Sequence, residues 1–454
     1  MMKSVNPATG EVIASFEELT EAQIDAKLDS ATQAFAQWRK SDVAKRVALL
    51  GRLADAYDAH KDRLAAMATQ EMGKTLKSAT AEVEKCAAAF RYYAEEGPAM
   101  LEGGSVDLPG GGRADLVWLP IGPVLAVMPW NFPYWQVVRF LAPCILAGNV
   151  GLLKHASNVQ GVAALMKEMM GVAQAPEGLF QNLPIRSKAV EAIIADDRVA
   201  AVTLTGSEGA GKAVAEQAGR ALKKVVLELG GSDPFIVMPS ADLDAAVEQA
   251  VTARVQNTGQ SCICGKRMIV HADIYDAFAE KFLAAMAAVK AGDPLNPDSD
   301  MGPLSSEEQR DTVRDQIDRM VAAGAALHGG EVPDLPGAYM HAGVMTGVPI
   351  ESDLMAEEIF GPIAMLFRAA DIDEAIAIAN AIPFGLGSSV WTEDAQEQAR
   401  FIRDIDAGMT AINQMLASAP QAPFGGVKRS GHGRELGPFG LHEFMNLKSV
   451  YRAG

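Results

Sequence analysis

The most reactive chemistry in the chain is concentrated in NTGQSCICGKR, residues 257–267, where Cys262 and Cys264 stand among glycines, polar amides and two cations. A zinc site generally takes four ligands at recognisable spacings; this C-x-C pair has no second pair and no nearby histidine, so no metal is expected. A thioredoxin-type pair would need two residues between the cysteines. In an extended segment, side chains two apart share a face, which admits a reversible disulfide. Two buried structural thiols fit these residues as well. The setting favours a nucleophile. The helical run DLDAAVEQAVTARVQ ends just before NTGQ, which puts Cys262 in a loop able to face a cleft, with Lys266 and Arg267 adding positive potential for a thiolate.

Further segments carry groups that such a nucleophile needs. In MPWNFPYW, Asn131 follows a β-prone run; its amide NH2 can donate to an oxyanion, and it can equally be a turn residue before a helix. In VVLELGG, Glu228 closes an apolar strand, where desolvation would raise its pKa and suit it to take a proton from water; a solvent-facing strand-end acid has the same pattern. AVTLTGSEGAGKAVAEQAG reads as strand, glycine loop and helix, so Gly206 to Gly211 can present backbone N–H groups and a helix N-terminus to a phosphate. Its spacing departs from G-x-G-x-x-G, and an ordinary helix-opening turn explains it too. Lys154, at the strand end in GLLKHASN, can reach a ribose hydroxyl or a phosphate. In AEEIFGP, Glu358 and Phe360 can place a carboxylate on a ribose and a ring beside a nicotinamide, or be a loop acid and a core phenylalanine.

The elements that must hold these groups follow from periodicity. The first hundred residues predict three amphipathic helices, the first opened by a Thr20/Gln23 capping box and the second running through DVAKRVALLGRLADAYDAHKDRLAAMATQ. LPGGGRADLVWLPIGPVLAVMPW predicts a projecting hairpin and the first core strand. Short buried-strand runs then alternate with helices, the signature of doubly wound α/β sheets. At 454 residues, 49% of them apolar, the chain suffices for two or more packed units. The formal charge of −17 disfavours nucleic acid and anionic membranes and leaves a small-molecule partner. No secretory signal pattern is visible, and no apolar run nears the ~20 residues that span a bilayer. Four cysteines are too few for a disulfide scaffold and fit a reducing compartment, so a cytoplasmic protein is expected.

Taken in order, PWNFP, LLKHAS, TGSEGAG, ELGG, GQSC, EEIFGP and PFGGVKRSGHGRE closely resemble the aldehyde dehydrogenase superfamily over nearly the whole chain. Within it, MPWNFPYWQVVRF, GLLKHASNV, RVAAVTLTGS and RVQNTGQSCICGKR look most like the NAD(P)-dependent succinate-semialdehyde dehydrogenases. The resemblance implies a Rossmann-type cofactor domain (1–101 and 121–228), an α/β catalytic domain (229–417) and a small β oligomerisation element (102–120 and 418–454). It also implies a homodimer or homotetramer in which the arm extends a partner's sheet. By matched position Cys262 is the nucleophile, Glu228 the general base and Asn131 the oxyanion donor. Trp130, Lys154, Ser157, Gly206, Ser207, Gly211, Glu358 and Phe360 fall at cofactor positions, and Trp135, Arg139, Gln256 and Ser418 at substrate positions.

The resemblance further implies oxidation of an aldehyde to its acid through a thiohemiacetal and a thioester on Cys262, with Cys264 available for a redox switch in some relatives. Ser157 stands where many NAD-preferring relatives carry an acid, which admits NADP as well as NAD. Gln256 replaces a second arginine expected in semialdehyde enzymes, and Phe140 replaces a common lysine. Glutarate semialdehyde, a sulfonated aldehyde or a medium-chain aldehyde therefore stay open beside succinate semialdehyde. An acyl-transferring enzyme would not need Glu228, and a non-enzymatic scaffold would not need Cys262, Asn131 and Glu228 together.

Overall fold

A computed structural model describes residues 1–453. Thr20 caps the helix Glu21–Trp38 through the expected reciprocal box with Gln23. The second expected helix is two: Val43–Ala59 and Lys61–Met72 break at His60, whose backbone (φ −111°, ψ 15°) leaves the helical region. With Leu76–Glu95, the N-terminal part thus has four long helices, where three were expected. They enclose a core containing Leu50, Leu53, Tyr57, Val83 and Phe90, which packs against the first sheet.

That sheet has six strands in the order Gly431–His432, Lys224–Glu228, Ala201–Thr205, Pro123–Met128, Val150–His155, Phe180–Asn182. All are parallel except the short Gly431–His432 edge. From Pro123–Met128 the chain first builds to one side and then returns at Ala201–Thr205 on the other. The reversal opens a crevice at the carboxyl ends of these two strands, where open α/β sheets bind ligands. Asn131 and Ser207 follow those ends directly, which is why the sequence places them beside one another.

A second sheet has seven strands in the order Ala326–Gly329, Gly343–Thr346, Ile363–Ala369, Arg267–His271, Pro234–Val237, Gly387–Trp391, Met409–Ile412, parallel apart from the first. Pro234–Val237 is buried along its whole length, because helices cover both faces; this is why such strands read as unbroken apolar runs. The third sheet joins Gly104–Asp107, Arg113–Pro120 and Met445–Arg452, all antiparallel. The tail from residue 418 onward does more than form an arm. Gly431–His432 returns to the edge of the first sheet, and Met445–Arg452 alone joins the hairpin.

Candidate active site

The helix Leu243–Val255 ends in a run of left-handed residues, Asn257 (φ 53°), Thr258 (φ 56°) and Gly259 (φ 72°). A β-branched residue in this region is strained, so the surroundings must impose it. Arg254 Nη2 donates to the carbonyls of Gly259 (2.8 Å), Ile359 (3.3 Å) and Gly361, and Asn257 Nδ2 to those of Asn131 (2.8 Å) and Gln260 (3.0 Å). Gln260 Oε1 accepts the Ser305 N–H at 2.9 Å. The segment that follows is a turn, closed by Cys264 N–H to Ser261 O (3.2 Å), and not the extended strand that would put both thiols on one face. All four cysteines are free; Cys264 is buried with its thiol toward Gln256 O (3.8 Å), while Cys262 is partly exposed.

The two neighbouring cations diverge. Lys266 Nζ donates to Cys262 O (2.7 Å) and Ser261 O (2.9 Å) and pairs with Glu358 Oε1 (3.0 Å). Arg267 points away, donating to the carbonyls of Ser232 (2.7 Å), Ile378 (2.6 Å) and Ala379 (2.8 Å), so the positive potential expected from it is spent elsewhere. Burial pushes the Cys262 thiol up to about 12, against the opposing pull of Arg139 and Lys266.

Cys262 lines two cavities. The first, of about 270 Å³, is bounded by Trp130, Asn131, Gly206, Ser207, Glu228, Glu358 and Phe360. Trp130 and Phe360 meet edge to face at 5.7 Å. Ser207 caps the helix Glu208–Arg220, its Oγ accepting Ala210 N–H at 3.3 Å, which ends the glycine loop earlier than expected. Gly211 is therefore a helix residue, not part of a phosphate loop: a Cβ there would meet Leu229 Cδ1 at 2.7 Å, so its smallness serves packing. Lys154, half-buried near the end of Val150–His155, and Ser157 in the turn beyond it lie on the same edge of the sheet, outside this cavity's lining. The switch-point crevice, the capped helix start and the ring pair suit a dinucleotide.

Asn131 is buried and oriented from both sides. Its Oδ1 accepts Gln136 Nε2 (3.0 Å) and its Nδ2 donates one hydrogen to Gln260 O (3.0 Å), leaving the other. Nothing among the described residues accepts the Cys262 backbone N–H. Glu228 is buried with neither carboxylate oxygen hydrogen-bonded. Burial holds its pKa well above the usual carboxylate range, and Glu435 adds to the rise. Glu435 is itself raised by burial and forms an ion pair with Arg139. Arg139 thus serves two buried carboxyls, Arg434 adding a smaller pull on Glu228, and the two titrations belong to the pair.

The second cavity, of about 180 Å³, brings together Cys262 with Trp135, Arg139, Gln256 and Ser418, the expected substrate set. Trp135 Nε1 donates to Ser418 Oγ at 3.0 Å, and Gln256 Nε2 has no partner. Arg139 is not a free clamp: besides Glu435 it donates to Thr205 Oγ1 at 3.1 Å and lies over the Phe424 ring at 4.5 Å. Phe140 is buried edge-on to Phe444 at 5.8 Å. Sequence reasoning missed Lys85, which lines this cavity from the helix Leu76–Glu95, and gave no role to Glu435 or Gln136. For Glu435 a signal existed in the quoted GHGRE run; for Lys85, one of many lysines on a helical face, there was none.

A cysteine reached from two sides, one of them a crevice at a strand-order reversal, is the arrangement of a dinucleotide-linked enzyme. The chain belongs to the aldehyde dehydrogenase family, which it matches over residues 1–450, and whose members oxidise aldehydes with NAD(P)+. It is 54% identical over 453 residues, 99% of either chain, to Succinate-semialdehyde dehydrogenase [NADP(+)] 1 of Mycobacterium tuberculosis. It is also 54% identical to Succinate-semialdehyde dehydrogenase [NADP(+)] of Mycolicibacterium paratuberculosis, over 99% of this chain and 96% of that one. Among solved structures, succinic semialdehyde dehydrogenase from Streptococcus pyogenes in complex with NADP+ superposes with a TM-score of 0.98 at 36% identity, covering all of both chains.

Proposed function

We propose that the protein oxidises succinate semialdehyde to the dicarboxylic acid with NADP+, NAD+ serving as a second acceptor, and that Cys262, Glu228 and Asn131 carry the reaction. The observation behind this reading is the exposure of Cys262 to two cavities at once, one suited to a dinucleotide and one to a small aldehyde. The 54% identity to enzymes named for this substrate and cofactor supports the choice of both. Ser157, where a carboxylate would repel a 2′-phosphate, supports NADP+ on electrostatic grounds, with Lys154 on the same strand edge.

The geometry supports the following steps. Cys262 gives up its proton to solvent water and its sulfur bonds to the carbonyl carbon, moving the π pair onto oxygen, where the spare Asn131 Nδ2 hydrogen and the Cys262 N–H receive it. The dinucleotide supplies the hydride acceptor for conversion of this thiohemiacetal to a thioester. Glu228, as carboxylate, then takes a proton from water; the hydroxyl adds to the acyl carbon and the C–S bond breaks, returning the thiolate and releasing the acid. Burial without hydrogen-bond partners keeps Glu228 basic enough for this. Trp130 and Phe360 shape the nicotinamide end, with Glu358 held by Lys266 beside it.

The active form is an oligomer of identical chains. The three-stranded sheet leaves Val106, Leu447 and Tyr451 exposed on one face, apolar positions that a second copy would cover. Four free thiols suit a reducing cytoplasm. No helix among the described residues is long and apolar enough to cross a membrane. A panel of succinate semialdehyde, glutarate semialdehyde, a sulfonated aldehyde and a medium-chain aldehyde, each with NADP+ and NAD+, tests the reading by the absorbance of reduced cofactor. Highest kcat/KM with succinate semialdehyde and NADP+ is expected; a preference for another aldehyde, or no turnover with NADP+, refutes it.

A further inference from the structure

The small cavity beyond Cys262 contains one cation without a counter-ion. Lys85 reaches it from the helix Leu76–Glu95, its ammonium 4.3 Å from the centre of the Trp135 ring and donating to Ser418 Oγ at 2.8 Å. Ser418 Oγ also accepts Trp135 Nε1 at 3.0 Å, so two donors occupy its lone pairs and its own hydrogen is left to give. Two of the three Lys85 hydrogens are likewise left. Gln256 Nε2, lining the same space, is buried and unpartnered. Donors therefore converge here without a free acceptor.

The other charged groups facing Lys85 are already committed. Glu82, on the same helix and wall, pairs with Lys74, and its Oε1 accepts the N–H groups of Tyr134 (2.8 Å) and Trp135 (2.9 Å). Arg139 is paired with Glu435. The neighbouring Cys86 thiol is buried and held protonated. A cation in a partly desolvated pocket, with no anion of the protein's own, is stabilised by an anionic ligand.

We propose that Lys85, with the Ser418 hydroxyl and the Gln256 amide, receives the far carboxylate of the aldehyde substrate, while Arg139 holds the buried carboxyl pair and does not contact the substrate carboxylate. This rests on the aldehyde-oxidising reading and names the residue that selects its substrate class, short aldehydes ending in a carboxylate. Cys262 and Lys85 lie on the walls of one cavity of about 180 Å³, so the aldehyde and carboxylate ends of a single short chain can be held together. The indole under the ammonium fixes its position and keeps it from folding toward solvent. Burial lowers the Lys85 pKa to about 8, which bound carboxylate would raise again.

The test compares succinate semialdehyde with butyraldehyde, its uncharged counterpart of equal length, on the wild-type enzyme and on Lys85→Met and Lys85→Arg. Loss of a charge-assisted contact predicts that Lys85→Met lowers the ratio of kcat/KM values, succinate semialdehyde over butyraldehyde, by about 10- to 150-fold, through KM. Lys85→Arg should restore part of that ratio. In the wild type, KM for succinate semialdehyde should rise as pH passes about 8, because the amine loses its charge, and this rise should vanish in Lys85→Met and with butyraldehyde. An unchanged ratio in Lys85→Met, or an equal loss with both aldehydes, overturns the assignment of Lys85 while the substrate reading stands. A wild-type enzyme that does not favour succinate semialdehyde over butyraldehyde overturns the substrate reading itself.

Discussion

Burial holds Cys262, the proposed nucleophile, protonated, and that has a measurable consequence. Cys262 would ordinarily titrate near 9.0; burial lifts it to about 12. The two cations that could oppose the rise are each compromised by a carboxyl group: Lys266 pairs with Glu358 at 3.0 Å, and Arg139 with Glu435. A thiol titrating near 12 leaves roughly a thousandfold less thiolate below pH 9 than an ordinary cysteine would. Alkylation of the cofactor-free enzyme by iodoacetamide reads this directly, because only the thiolate reacts. Intact-mass analysis should show a single adduct at Cys262, since Cys86, Cys144 and Cys264 are buried. The logarithm of the rate should climb with unit slope from about pH 6.5 to 9.5, without a plateau. A plateau beginning near pH 7 would mean an activated thiolate, with the local cations outweighing burial.

Two further substitutions probe the carboxyl pair. Glu228→Gln should leave the first turnover's burst of reduced cofactor visible in stopped-flow absorbance while steady-state turnover falls by about 10² to 10⁴, because loss of the base stops hydrolysis of the thioester and not its formation. A variant that loses burst and steady state together would assign Glu228 to the first half-reaction. Arg139→Met removes the ion-pair partner of Glu435 and the larger of two cationic influences on Glu228, and should cost about 3–5 kcal/mol of stability in urea unfolding at neutral pH, with the preference for succinate semialdehyde over butyraldehyde retained. Both carboxyls are raised, so in that variant the deficit should shrink as pH falls and they protonate; a stability loss independent of pH, or a lost preference, would return Arg139 to the substrate.

What the sequence revealed divides along one physical line. Strands buried on both faces, such as Ala201–Thr205 and Pro234–Val237, are visible because their burial leaves no polar position to confuse the pattern, and the Thr20 cap is visible because its partner lies three residues on. Asn131, Glu228 and Cys262 were visible as candidates for a related reason: each ends or follows a regular element, and the structure places all three on the lining of one cavity. The failures share the opposite property. His60 breaks a helical pattern without a glycine or proline, Gly211 looks like a loop glycine but lies past a helix start set by Ser207, and the left-handed Thr258 is held by Arg254 against the carbonyls of another loop. Arg139 reads as a free clamp until Glu435 arrives from the tail, and Lys85 reads as a solvated helix lysine until Trp135 and Ser418, from two other parts of the chain, close around it. The proposed catalytic groups are therefore written locally, whereas the state of charge that decides which cation meets the substrate is a property of distant pairings. A family resemblance transfers the first kind of information residue by residue; the second must be worked out from which partners the fold has already supplied, and here that accounting moves the substrate's carboxylate from Arg139 to Lys85.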